Sequence, residues 1–113
     1  MAMIKREDGI VTVFDIKGEF VSTAIEETRL YRSVKELLAA GKRQFLVNLE
    51  GVSFMDSTGF GELFRSTLSI RNEGGEIKLL RVRPKIRLIF KITGVERIYD
   101  FFEEEKEAIA SFG

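Results

Sequence analysis

Asp56, Ser57, Thr58 and Gly59 stand in succession, two hydroxyls held between a carboxylate and a glycine. They follow the apolar run Phe45-Leu46-Val47-Asn48-Leu49 and open an amphipathic segment that continues through Phe60, Leu63 and Phe64. The first pattern reads as a strand and the second as a helix, so the hydroxyls fall at a strand-to-helix turn. The positive end of the helix macrodipole points at that turn. A hydroxyl so placed has three uses. It caps the helix, attacks a substrate, or receives a phosphate.

The composition opposes the nucleophilic use most strongly. The chain has no histidine and no cysteine, so the commonest general base is missing from beside the serine. A nucleophile elbow needs a glycine two residues before its serine, where Met55 stands, and no Ser-x-x-Lys begins at Ser57. Asp56-Ser57-Thr58-Gly59 is close to the acid-hydroxyl-glycine signature of aspartic proteases, but one residue too long and set in a helical pattern. Gly59-Phe60-Gly61 enters a helix as a dinucleotide fingerprint does, yet Phe64 replaces the third glycine and the phosphate-loop lysine is absent. No enzyme activity, cofactor or metal is expected. The acidic run Glu103, Glu104, Glu105 and Glu107 reads as an exposed helix N-terminus rather than a hard-cation site. The basic run Arg81, Arg83, Lys85 and Arg87 reads as a solvated face.

Eighteen basic residues balance eighteen acidic ones over 113 residues, which leaves no net field to gather nucleic acid or anionic lipid. No apolar run approaches the ~20 residues that cross a bilayer, and no signal-peptide pattern opens the chain. A cytoplasmic protein without membrane insertion is the expectation.

The elements that must position the hydroxyls follow from periodicity. Residues 2 to 7 and 10 to 16 read as a hairpin turning at Asp8-Gly9, the second strand interior because it is apolar on both faces. Gly18 breaks the pattern. Thr23 and Glu26 form a capping box for a helix to about Ala40, burying Leu30, Tyr31, Val34, Leu37 and Leu38, with Gly41 after it. Residues 45 to 49 form a strand and Thr58 to Asn72 a helix with Phe60, Leu63, Phe64, Thr67, Leu68 and the Arg71 stem inward. Gly74-Gly75 ends it. A strand over Ile77 to Val82 follows, then a helix from Pro84 to about Thr93 closed by Gly94. An edge strand over Ile98 to Phe102 precedes a last helix over 103 to 112 with Ala108, Ile109 and Phe112 inward. Alternating strands and helices require crossovers. The expected fold is α/β, one domain over residues 1–113, with a mixed sheet of four to five strands and about four helices.

Capping by Ser57 or Thr58 contributes about 1 kcal/mol and stays open. The apolar flank asks for more. Phe54, Met55, Phe60 and Phe64 are hard to bury together around one turn, so Phe54, Met55, Phe60 and Gly61 are read as a partner-binding surface beside the serine.

The segment Asn48-Leu49-Glu50-Gly51-Val52-Ser53-Phe54-Met55-Asp56-Ser57-Thr58-Gly59-Phe60-Gly61 resembles the signature of STAS domains, specifically the bacterial anti-sigma factor antagonists. Gly18-Glu19-Phe20, Gly74-Gly75-Glu76 and Lys85 to Gly94 resemble further family segments. The resemblance implies a STAS domain over the whole chain and a partner switch. The unmodified antagonist binds an anti-sigma factor that is also a serine/threonine kinase, phosphorylation releases it, and a PP2C-type phosphatase restores binding. It implies Ser57 as phosphoacceptor, framed by Asp56, Thr58 and Gly59, with homodimerisation left open. One position departs from the family: Val21 stands where many members carry an acid, which bears on how the kinase engages. The alternative is a non-switching STAS-type scaffold or soluble accessory subunit of a transport complex, in which Ser57 is only a cap.

Overall fold

The computed structural model describes residues 2–21 and 30–113. β1 (Ala2–Asp8) and β2 (Val11–Phe20) pair antiparallel. The turn is Gly9-Ile10, one residue later than the sequence suggests. β2 lies between β1 and β3, and Val11, Thr12, Val13, Phe14 and Ile16 are buried on its two faces, as expected of an interior strand. Gly18 does not end it. A glycine at φ +94° lets the strand pass through an irregularity and continue to Phe20, a backbone state that side chains with a Cβ resist.

Helix α1, described over Leu30–Ala39, buries Leu30, Val34 and Leu38, with Tyr31 and Leu37 half-buried. The Thr23–Glu26 capping box lies outside the described residues. β3 (Gln44–Met55), α2 (Ser57–Asn72), β4 (Glu76–Leu80), α3 (Pro84–Ile92), β5 (Phe101–Phe102) and α4 (Glu105–Ser111) follow in order, with a 3-10 turn at Glu96–Ile98. The sheet order is β1-β2-β3-β4-β5, and all pairs after the hairpin are parallel. The expected strands over 77–82 and 98–102 are shorter than predicted. β4 stops where Arg81 takes φ +53°, and residues 96–98 turn before the edge strand pairs.

Apolar residues on one sheet face (Phe14, Phe45, Val47 and Leu79 among them) pack under α1, α2 and α3. On the other face Val11, Val13, Leu46 and Leu80 pack under Ala108 of α4 and Phe112 just after it. α2 sits rotated from expectation. Leu68 and Arg71 are exposed, while Glu62, Ser66 and Ile70 face inward beside Leu63 and Thr67, which were expected there. The buried hydroxyls are satisfied locally: Ser66 Oγ donates to Glu62 O and Thr67 Oγ1 to Leu63 O, each at 2.9 Å. Such back-bonding lets small polar residues enter a core at little cost.

Candidate functional site

β3 is longer than the apolar run that announced it, and its extension carries the site. Asp15 pairs with Asn48 but Lys17 with Gly51, so β3 holds one extra residue there. A second extra residue falls between Val52, opposite Gly18, and Phe54, opposite Glu19. Each bulge shifts the alternation of faces. As a result Val52 and Met55 both enter the helix-side core, and Phe54 between them points out. Met55, expected at the partner surface, is 3% exposed and is a core residue, whereas Phe54 is 51% exposed.

The strand ends in a helix cap supplied by Asp56. Its backbone is extended, and its Oδ1 accepts from the Gly59 amide at 2.8 Å. Its own amide donates to Phe20 O at 3.3 Å, tying the turn to the end of β2. The cap is therefore neither Ser57 nor Thr58, as the sequence left open. A carboxylate serves the N-cap as well as a hydroxyl does and also suits the dipole. Ser57 and Thr58 become the first two helical residues, both exposed, and no side chain among the described residues bonds the Ser57 hydroxyl.

The two glycines of the motif differ in role. Gly59 is buried against β2, where an added Cβ would lie 1.9 Å from Phe20 O. Gly61 is half-buried, and a Cβ there would meet nothing within 4 Å. Among the described residues nothing requires that glycine, which costs a helix about 1 kcal/mol relative to alanine. Phe60 is part-buried, its ring edge-to-face with Phe90 of α3 at 5.0 Å. Phe54, Asp56, Ser57, Thr58, Phe60 and Gly61 follow one another across the strand-to-helix turn, with Phe54, Ser57 and Thr58 exposed and Met55 withdrawn into the core. Val21 is half-buried just past β2.

Glu62 is a neighbour that the sequence reading did not select. Only 8% exposed, it faces inward one turn below Gly59, with Arg65 3.8 Å away. Burial pushes its carboxyl up, and the Arg65 charge offsets part of that. Its spacing of three and four from Gly59 and Ser66 would have placed it on the inward stripe.

Most of the basic run, and Glu105 of the acidic run, help to hold the fold. Arg81 Nε donates to Glu103 O, Arg83 Nε to Glu50 O, and Arg87 lies over the Phe101 ring. Glu105 pairs with Arg6. Among the described residues no group of three or more acidic side chains could hold a metal ion, and no helix is long and apolar enough to cross a membrane.

A strand-turn-helix with an aspartate cap followed by an exposed serine, on a five-stranded mixed sheet, defines the class. The STAS domain family model matches residues 1–108, and the chain belongs to that family. Among curated relatives it is 47% identical over 57 residues to the anti-sigma-B factor antagonist of Staphylococcus aureus (strain NCTC 8325 / PS 47). That match covers 50% of this chain and 52% of the relative, about half the length of each. It is 30% identical over 95 residues to the anti-sigma F factor antagonist of Lysinibacillus sphaericus, covering 84% of this chain and 78% of the relative. The Bacillus cell fate determinant SpoIIAA in its phosphorylated form has a similar structure, with a TM-score of 0.78, 24% identity and 96% and 97% of the two chains covered. The unphosphorylated form of the anti-sigma factor antagonist SpoIIAA gives a TM-score of 0.75 at 23% identity, with 96% of each chain covered.

Proposed function

We propose that this chain is an anti-sigma factor antagonist that works as a phosphorylatable partner switch, with Ser57 as the phosphoacceptor. In this reading the unmodified protein binds an anti-sigma factor that is also a serine/threonine kinase, and a PP2C-type phosphatase reverses the modification. It acts by binding, without catalysis of its own.

The observation that carries the reading is the division between Asp56 and Ser57. Asp56 caps the helix, so the cap does not need the Ser57 hydroxyl, which stands exposed with exposed Phe54 three residues before it and half-buried Gly61 four residues after it. An exposed aromatic and a glycine without an internal reason suit a surface that another protein approaches closely. A phosphate there adds about −1.5 to −2 charges. The helix N-terminus favours such a charge by roughly 0.3–1 kcal/mol, reduced by repulsion from Asp56. Desolvating the same charge in an interface costs about 2–5 kcal/mol. Modification then leaves the fold intact while breaking the contact. The names of the relatives and the solution of SpoIIAA in two phosphorylation states support the same reading.

The test is incubation with the cognate anti-sigma kinase and ATP, followed by mass spectrometry. One phosphate should be added, lost in Ser57→Ala and retained in Thr58→Ala. The reverse pattern moves the acceptor to Thr58, and no addition to the native chain removes the switch.

A further inference from the structure

Helix α3 carries two apolar stripes. Ile86 and Phe90 enter the core. Pro84, Leu88 and Ile92 recur at i, i+4 and i+8 on the other side, with Leu88 54% and Ile92 75% exposed. A surface helix ordinarily keeps that side polar. Exposed Lys85 flanks the ridge on one side and exposed Arg87 and Lys91 on the other, by the helical repeat of 100° per residue. α3 contains no acidic residue, and its N-cap is Arg83. A groove of about 460 Å³ runs beside the ridge, bounded by Val82, Pro84, Arg87, Leu88, Lys91, Glu103 and Glu96, the last paired with Arg87. Arg87 is held as a fixed wall, its guanidinium 3.9 Å from the Phe101 ring centroid and its Nε donating to Glu96 at 3.3 Å.

We infer that the outer face of α3 docks an acidic amphipathic segment of a protein partner. Apolar side chains of that segment seat on Leu88 and Ile92 and in the groove, and its carboxylates pair with Lys85 and Lys91. Charge selects this occupant. The α3 face of a second copy would set cation against cation. A bilayer surface matches less well, because the groove is concave. Cations bordering an exposed i, i+4, i+8 ridge match the helix-in-groove mode of recognition. The face points away from the core side of α3, where Phe90 meets Phe60, so the contact does not depend on the state of Ser57.

Titration of the isotope-labelled full chain, followed by nuclear magnetic resonance, tests this. The probe is a synthetic helical peptide of about 14 residues with leucines at i, i+4 and i+8 flanked by glutamates. Amide shifts should concentrate on residues 82–92 and 101–103. Leu88→Glu, Ile92→Glu and Lys91→Glu should each weaken binding by about tenfold or more, as should raising salt to about 0.5 M. Ser57→Asp should bind like the native chain. Circular dichroism checks that each variant folds, and Leu88→Ser supplies a milder replacement. Absence of shifts at about 1 mM peptide, shifts centred elsewhere, or equal binding of a peptide with lysines in place of the glutamates would overturn the proposal. Sedimentation with phosphatidylglycerol vesicles that Leu88→Glu abolishes, without peptide binding, would reassign the face to a membrane surface.

Discussion

Asp56 accepts the Gly59 amide, while Ser57, one residue on, keeps its hydroxyl in solvent. Asp56→Ala should therefore destabilise the fold by about 1 kcal/mol, and Asp56→Asn by much less, because asparagine also caps. Urea unfolding of the two variants reads this directly. Gly59→Ala should cost more, about 2 kcal/mol or above, since the new methyl meets Phe20 O and the helix must shift away from β2. A helical glycine changed to alanine without such a contact would gain stability instead. Ser57→Asp separates the two properties of the site. Its melting temperature should stay near native, while affinity for the anti-sigma kinase should fall by at least ~2 kcal/mol. Calorimetry alongside thermal melts measures both, and equal affinity in the two forms would leave the scaffold reading.

The end of β3 shows how an element decides what a residue does. Phe54 and Met55 are adjacent and both apolar, and their types alone do not say which faces a partner. Two extra residues in the β2–β3 register settle it by turning Phe54 outward and seating Met55 in the core. Met55→Ala should cost about 2–5 kcal/mol of stability. Phe54→Ala should leave stability within about 0.5 kcal/mol of native but weaken the kinase contact. Denaturant midpoints and binding isotherms of this pair make a sharp comparison, and the opposite assignment would refute the bulged register. α2 offers a similar case. Leu68 fits the inward stripe by hydropathy, but the helix turns Ser66, Thr67 and Ile70 inward. Thr67 reaches Tyr99 Oη at 2.7 Å, so the buried tyrosine hydroxyl finds a partner.

Across the whole molecule, α4 is fastened to the far side of the sheet by charge. Arg6 donates to Asp15 at 2.7 Å and to Glu105 at 2.6 and 2.8 Å, joining β1, β2 and the start of α4. Lys78 donates to Ser111 O at 3.1 Å and lies over the Phe112 ring at the other end. Burial pushes the Asp15 carboxyl up, but hydrogen bonds from Arg6 and Asn48 outweigh it and hold the group below its usual range. The Arg6 hydrogen bond likewise holds Glu105 low. Carboxyls depressed in the folded state contribute stability that is full above their unfolded pKa and lost as pH falls through the folded values. Stability should therefore decline below about pH 5, and Asp15→Asn with Glu105→Gln should flatten that limb. Glu62, raised by burial, has the opposite sign: its protonation favours the fold as pH falls. Unfolding free energies measured across the acid range test the balance, and an unchanged slope in the double variant would show that the Arg6 network contributes nothing to it.

Local physics explains which features the sequence by itself determined. A strand-to-helix turn at Asp56–Gly59, the interior position of β2, the parallel crossovers and the proline start of α3 follow from periodicity and turn chemistry. Each depends on neighbours within a few residues. The burial of Met55, the rotation of α2, the contact that makes Gly59 obligatory and the links from Arg6 to Glu105 were decided by tertiary structure. They depend on the register of strands distant in sequence and on the close approach of α2 to the end of β2. The choice of cap belongs between these levels. Asp56, Ser57 and Thr58 all have side chains that can cap, and the residue at which β3 stops pairing with β2, Met55, leaves that place to Asp56 and the hydroxyl of Ser57 to solvent.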